Sequence, residues 1–194
     1  MKINLKWFWI VVLLITALGG TSYAADERQW AVSLFTGRLT DGDLGDSAMF
    51  NVSFEDAFLV AGTLSKKYYR YSDSIDLEWE VQAVKHFKDQ NHWEFNGLNV
   101  VRWTAFPWDR YLETSVAAGT GLSFASSRPE IESKNHTDTS NILVYLMFEV
   151  AFSLPTVPEW SLVTRIHHRS GAYGLFNDVH GASNAWIFGL RYHF

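Results

Sequence analysis

The chain has 194 residues and a formal net charge of −5, with 47% hydrophobic and 16% aromatic residues. The acidic balance argues against nucleic acid as a partner, and the absence of cysteine excludes a disulfide framework. Past the amino terminus no stretch approaches the ~18 consecutive apolar residues of a membrane helix, so stability has to come from a sheet, a core or a surrounding membrane.

The first element has three parts: Lys2 and Lys6, an apolar run from Trp7 to Leu18, and small residues leading to Ala24-Ala25. That order reads as a secretory signal peptide over 1–24, cut after Ala24 or Ala25. The remaining 25–194 is about the length of one domain.

Period-two alternation then predicts eight strands, over 29–38, 56–69, 75–88, 92–106, 111–125, 141–153, 159–169 and 184–194. The connections after the second, fourth and sixth are short turns, whereas those after the first, fifth and seventh are longer and polar. Only the connection after the third, Lys88 to Asn91, departs by being short. With both ends on the periplasmic side, this is the loop pattern of an outer-membrane barrel. The expected fold is therefore all-β: an eight-stranded antiparallel transmembrane β-barrel in the outer membrane of a Gram-negative bacterium.

The two faces of each strand support this expectation. In the third strand Ile75, Leu77, Trp79 and Val81 oppose Asp76, Glu78, Glu80 and Gln82; in the sixth, Ile142, Val144, Leu146, Phe148, Val150 and Phe152 oppose Glu149. A soluble lipocalin-like barrel would carry its apolar face inside. Here the carboxylates must face a narrow lumen, where Glu78, Glu80, Glu149, Arg102 and Arg165 supply charges of both signs to pair. Trp93, Trp103, Trp160 and Tyr192 read as girdle aromatics. In the last strand Trp186, Phe188, Leu190, Tyr192 and Phe194 occupy every second position, which resembles the terminal signal read by barrel assembly machinery.

The seventh strand carries the candidate chemistry. Trp160, Leu162, Thr164 and Ile166 form its apolar face, and the same parity puts His168 and Ser170 outward while Arg165, His167 and Arg169 turn inward. Polar groups on a lipid-facing wall are costly without partners. A serine and a histidine two apart on one face suit a nucleophile and its general base. Asn184, which opens the eighth strand with the parity of Trp186, is the first candidate to orient the imidazole, and Asp178 in the intervening loop is the charged alternative. His167 is expected to be a luminal partner of Glu149 or another carboxylate. The loop histidines His136 and His180 have no metal-ligand spacing, so no metal is expected.

The segment Arg165-Ile166-His167-His168-Arg169-Ser170-Gly171-Ala172-Tyr173-Gly174, followed by Asn177-Asp178, resembles the carboxy-terminal signature of the lipid A 3-O-deacylase (PagL) family, also labelled acyloxyacyl hydrolase. The resemblance covers about thirty residues; elsewhere only the architecture matches. It implies a barrel that hydrolyses the ester-linked hydroxyacyl chain at position 3 of lipid A, with lipopolysaccharide as substrate and no cofactor. His168 matches the family's base and Ser170 its nucleophile, while Gly171, Ala172 and Asn177 match its oxyanion hole. The chain departs from the family at the acid, because Asn184, or else Ser183, stands where a glutamate is expected. A homodimer is compatible with this reading. The alternative is a non-enzymatic structural or adhesion barrel working through its outer loops.

Overall fold

A computed structural model describes residues 28–129, 140–172, 174, 179 and 182–194. The signal-peptide assignment, Asn177, Asp178, His136 and His180 lie outside the described residues. The strands are β1 (Trp30–Thr40), β2 (Phe54–Ser72), β3 (Ile75–Lys88), β4 (Trp93–Trp103), β5 (Glu113–Ala125), β6 (Ile142–Leu154), β7 (Val157–Ser170) and β8 (Ala182–His193). Each predicted strand is present, with ends within three residues of the expected ones. One short helix, α1 (Leu44–Ala48), lies in the β1–β2 connection.

The strands form a closed antiparallel barrel in sequence order, sealed where β1 pairs with β8. The upper rim carries the β1–β2, β3–β4, β5–β6 and β7–β8 connections. At the lower rim Trp30 and Phe194 exchange backbone hydrogen bonds of 3.0 and 2.8 Å. Closure leaves no sheet edge, so every strand can satisfy its backbone polar groups within the sheet.

Inside, the alternation places the charges as expected. The Arg165 guanidinium donates to Glu80 at 2.7 and 3.0 Å and to Glu149 at 3.0 Å through Nε. Arg102 donates to Glu78 at 2.8 and 3.1 Å and to Glu149 at 2.8 Å. Arg191, which the sequence pattern leaves unremarked, adds two further bonds to Glu149 at 2.8 and 2.7 Å. Five strands are thereby tied across the lumen through one carboxylate cluster. Removing a single partner would leave a buried charge uncompensated, a cost of about 3–5 kcal/mol. An apolar layer of Phe35, Leu59, Val84, Val163 and Ile187 packs beside these charges, with the Arg165 guanidinium 4.6 Å above the Phe35 ring.

Outside, Val81, Phe95, Val101, Leu162 and Leu190 are exposed. Apolar residues outward and paired charges inward is the arrangement of a barrel whose surroundings are hydrocarbon. Trp93 is exposed near the upper rim, and Trp103, Trp160 and Tyr192 are exposed near the lower one.

One sector differs from the expectation. Ile166 and Trp186 have outward parity, yet they are only 6% and 9% exposed. The cause is the β1–β2 connection, which folds down over the outside of the wall. Its Phe50 ring stacks on Trp186 with centroids 4.3 Å apart, and the Trp186 indole N–H donates to the Ser47 carbonyl at 3.0 Å.

Candidate active site

Antiparallel register brings the three outward polar residues to one place. His168 on β7 lies directly opposite Asn184 on β8, and Ser170 lies opposite Ala182 one step nearer the rim. On the other side of β7, His168 faces Leu146 and Ser170 faces Val144. Directly opposed residues have Cβ atoms ~5 Å apart, which lets a histidine and an asparagine meet without distortion. His168 Nδ1 is 2.6 Å from Asn184 Oδ1.

The amide's orientation follows from its second contact. Asn184 Nδ2 donates to the Gly42 carbonyl at 3.0 Å. A carbonyl can only accept, so the NH2 end must point at Gly42 and the oxygen end at the imidazole. The imidazole nitrogen facing that oxygen must then carry the proton. The neutral ring held this way is the Nδ1–H tautomer, whose Nε2 carries the lone pair required of a general base.

The Gly42 carbonyl is itself fixed by local sequence. Gly42 adopts φ +81°, a left-handed conformation suited to glycine. On one side of it, Asp41 accepts the Ser53 amide at 2.6 Å and donates its own amide to the Ser53 carbonyl at 3.1 Å. On the other, Asp43 caps α1 by accepting the Asp46 amide at 2.9 Å, and the Asp46 side chain completes a capping box. Ser47, fully buried, places its hydroxyl 3.2 Å from that of Thr40. A helix of five residues is marginal alone, so these caps and the Trp186 contact hold it in place.

The cover changes the electrostatic setting. His168 is 6% and Asn184 1% exposed, so both polar groups are withdrawn from the bilayer-facing surface and paired. Ser170 is half-buried above them. Among the described residues no hydrogen bond links Ser170 Oγ to His168; such bonds commonly tighten only when substrate is bound.

Beyond Ser170 the chain turns sharply. Ala172 is left-handed, with φ +51°. A Cβ added to Gly171 would meet the Val179 carbonyl oxygen at 1.9 Å, so no other residue can lie this close to the returning chain. Both backbone amides named for an oxyanion hole thus sit in a tight turn next to Ser170. Ser183, the other position considered for the acid, pairs with Arg169 rather than His168 and has the opposite parity to Asn184. His167 turns into the lumen, where its Nε2 meets Glu94 Oε1 at 3.1 Å and its Nδ1 meets the Tyr145 hydroxyl at 3.0 Å. Its carboxylate partner is therefore Glu94, not Glu149.

The sequence reading missed the β1–β2 connection as part of this site. The Asp43-x-x-Asp46 capping box was a visible signal for a helix, but nothing in it tells that the helix docks on β8.

No family model and no curated protein sequence matches the chain. Among solved structures, the chain is similar to the outer membrane enzyme PagL at TM-score 0.53 and 15% identity, over 82% of this chain and 97% of that one. It is likewise similar to Neisserial surface protein A at TM-score 0.51 and 10% identity, over 85% of this chain and 96% of that one. At these identities the likeness establishes the shared eight-stranded barrel.

Proposed function

We propose that the chain is an outer-membrane esterase that removes the 3-hydroxyacyl chain ester-linked at position 3 of lipid A. The observation that carries this reading is the Gly42–Asn184–His168 relay, which sets one tautomer of a histidine on the outer wall of a barrel. Ser170 stands two residues further on the same face. A luminal structural histidine needs no such arrangement, and a girdle histidine would face headgroups and water rather than lie buried under a loop.

Ser170 Oγ attacks the ester carbonyl carbon while His168 Nε2 takes its proton, and Asn184 Oδ1 supports the imidazolium through Nδ1–H. Negative charge develops on the carbonyl oxygen, for which the amides of Gly171 and Ala172 are the nearest backbone donors in the turn. Collapse of the tetrahedral intermediate breaks the ester bond, with the His168 proton passing to the departing sugar oxygen. Water then enters and its oxygen bonds the acyl carbon as His168 takes one of its protons; collapse breaks the bond to Ser170 Oγ, which receives that proton from His168 as the 3-hydroxy acid leaves. Below His168 the outer wall continues as a shallow apolar groove past Ile166, Thr164, Phe148 and Trp186, which suits an acyl chain lying parallel to its lipid neighbours. Asn177 stays in this scheme as an oxyanion donor by resemblance, and Asp178 as the alternative orienting group.

Mass spectrometry of lipid A after incubation of lipopolysaccharide with the detergent-folded protein tests the proposal. The expected result is loss of one 3-hydroxyacyl chain, absent with Ser170→Ala and with His168→Ala. Unchanged lipid A from correctly folded wild-type protein would sink it. The second reading, a non-enzymatic barrel acting through its outer loops, draws on the neutral third member Asn184. It expects a binding activity that survives His168→Ala and is lost when the loop between Glu130 and Ser140 is shortened.

A further inference from the structure

The opposite wall of the barrel holds a second polar cluster, unconnected with the esterase reading. His86, near the end of β3, and Glu94, near the start of β4, both turn into the lumen, and His92 closes the turn between them. His86, His92 and Glu94 are 3%, 4% and 1% exposed. The His86 amide donates to the His92 carbonyl at 3.0 Å, which fixes the hairpin so that the two imidazoles stack with centroids 4.3 Å apart and 11° between planes. Glu94 spans two histidines: Oε2 lies 2.9 Å from His86 Nε2 and Oε1 lies 3.1 Å from His167 Nε2.

That hydrogen-bond network accounts for Glu94 and His167 but leaves two atoms over. His86 Nδ1 and His92 Nε2 are buried and have no hydrogen-bond partner among the described residues. Buried polar atoms without partners are rare in folded proteins and require an explanation. A cation in place of the proton between His86 Nε2 and Glu94 Oε2 would also give the buried His92 imidazole beside them a partner.

We infer that His86, His92 and Glu94 form a binding site for a divalent transition metal of the zinc class, inside the upper end of the barrel. One ligand atom from each residue falls within 4.8 Å of the other two. Around tetrahedral zinc, with bonds of ~2.0–2.1 Å, ligand atoms stand roughly 3.3 Å apart. Closing the set therefore takes about 1.5 Å of movement and turns the two stacked rings out of parallel, so that both ring planes pass through the ion. Two imidazoles and one carboxylate select borderline transition metals over calcium or magnesium, which prefer all-oxygen sets. His167 then becomes an outer support. It holds the distal oxygen of the ligating carboxylate and is itself held by the Tyr145 hydroxyl at 3.0 Å, the kind of backing that metal-bound carboxylates receive. The bound ion would staple the β3–β4 hairpin at the rim and reach across the lumen to β6 and β7.

The test uses the full chain folded in detergent, stripped with chelator and titrated with Zn2+ against a chromophoric competitor, then with Co2+ to read the visible absorption of a tetrahedral site. One equivalent per chain is expected. His92→Ala, a change in a turn that leaves strand pairing intact, abolishes stoichiometric binding, and His167→Gln weakens it by about 10- to 100-fold. The double variant His136→Ala/His180→Ala binds as the parent does. Folding of each variant is checked by the far-ultraviolet spectrum and by heat-modifiable gel mobility. The inference is overturned if the folded parent takes up no stoichiometric Zn2+ or Co2+. It is equally overturned if His92→Ala binds as tightly as the parent, or if the loop double variant loses the metal.

Discussion

Two walls of the same barrel, built from the same alternating pattern, are finished differently. On β3 to β5 the outward residues Val81, Phe95, Val101 and Leu122 are exposed, and the wall reads as a surface for hydrocarbon alone. On β7 and β8 the outward positions near the upper rim are Ile166, His168, Asn184 and Trp186, all buried, with the β1–β2 connection bonded to Asn184 and packed on Trp186. Parity alone assigns a side chain to the outside of a barrel. Whether it then meets lipid depends on a connection that has no periodicity of its own. The covered wall tolerates polar groups because a loop supplies their partners, and it can hold a hydrogen-bond relay that the bare wall could not.

The difference can be broken or sharpened by substitution. The largest effect is expected for Ser170→Ala on the covered wall, which should lower deacylation by about a thousandfold or more, while Phe95→Ala on the bare wall leaves the rate unchanged; lipid A mass spectrometry over a time course reads both. Next, Val81→Arg places a charge on the bare wall and should destabilise the barrel by about 2–4 kcal/mol near the midplane, measured by urea titration in lipid vesicles. Asn184→Asp gives the imidazolium a carboxylate partner and should raise kcat about tenfold, roughly 1.4 kcal/mol, despite the repulsion it introduces against the Gly42 carbonyl. Phe50→Ala strips the stacked ring from Trp186 and should cost about 1 kcal/mol, seen as a lowered midpoint in the same urea titration. A Phe50→Ala variant with stability unchanged would show that the cover contributes no packing energy to that wall.

The fold was legible because strands carry their own signal. Eight period-two segments and the sign of their faces were enough to predict a barrel with a charged lumen, and Glu78, Glu80, Glu149, Arg102 and Arg165 do pair there. The partners themselves were not legible. Arg165 meets Glu80 across 85 positions of sequence, a contact that exists only once the barrel has closed and its diameter is set. For the candidate site, parity and strand order brought His168 to Asn184, because both are properties of neighbouring strands. The Gly42 carbonyl was not foreseeable, since it arrives from a loop 142 residues away. The histidine cluster was hidden for a related reason. His86, His92 and Glu94 have no motif spacing, and neither do the loop histidines His136 and His180. What joins the cluster is hairpin register, with Val84 facing Glu94 and the turn folding His92 back over His86.

The bonds from Asn184 to Gly42 and from Trp186 to Ser47 both cross the β1–β8 seam, where the first and last strands meet. Until that seam forms, the orienting amide has nothing to choose its direction, and His168 is free to sample either tautomer. A chain still in transit, or stalled with its barrel open, therefore carries His168 and Asn184 without the bond that fixes their relative orientation.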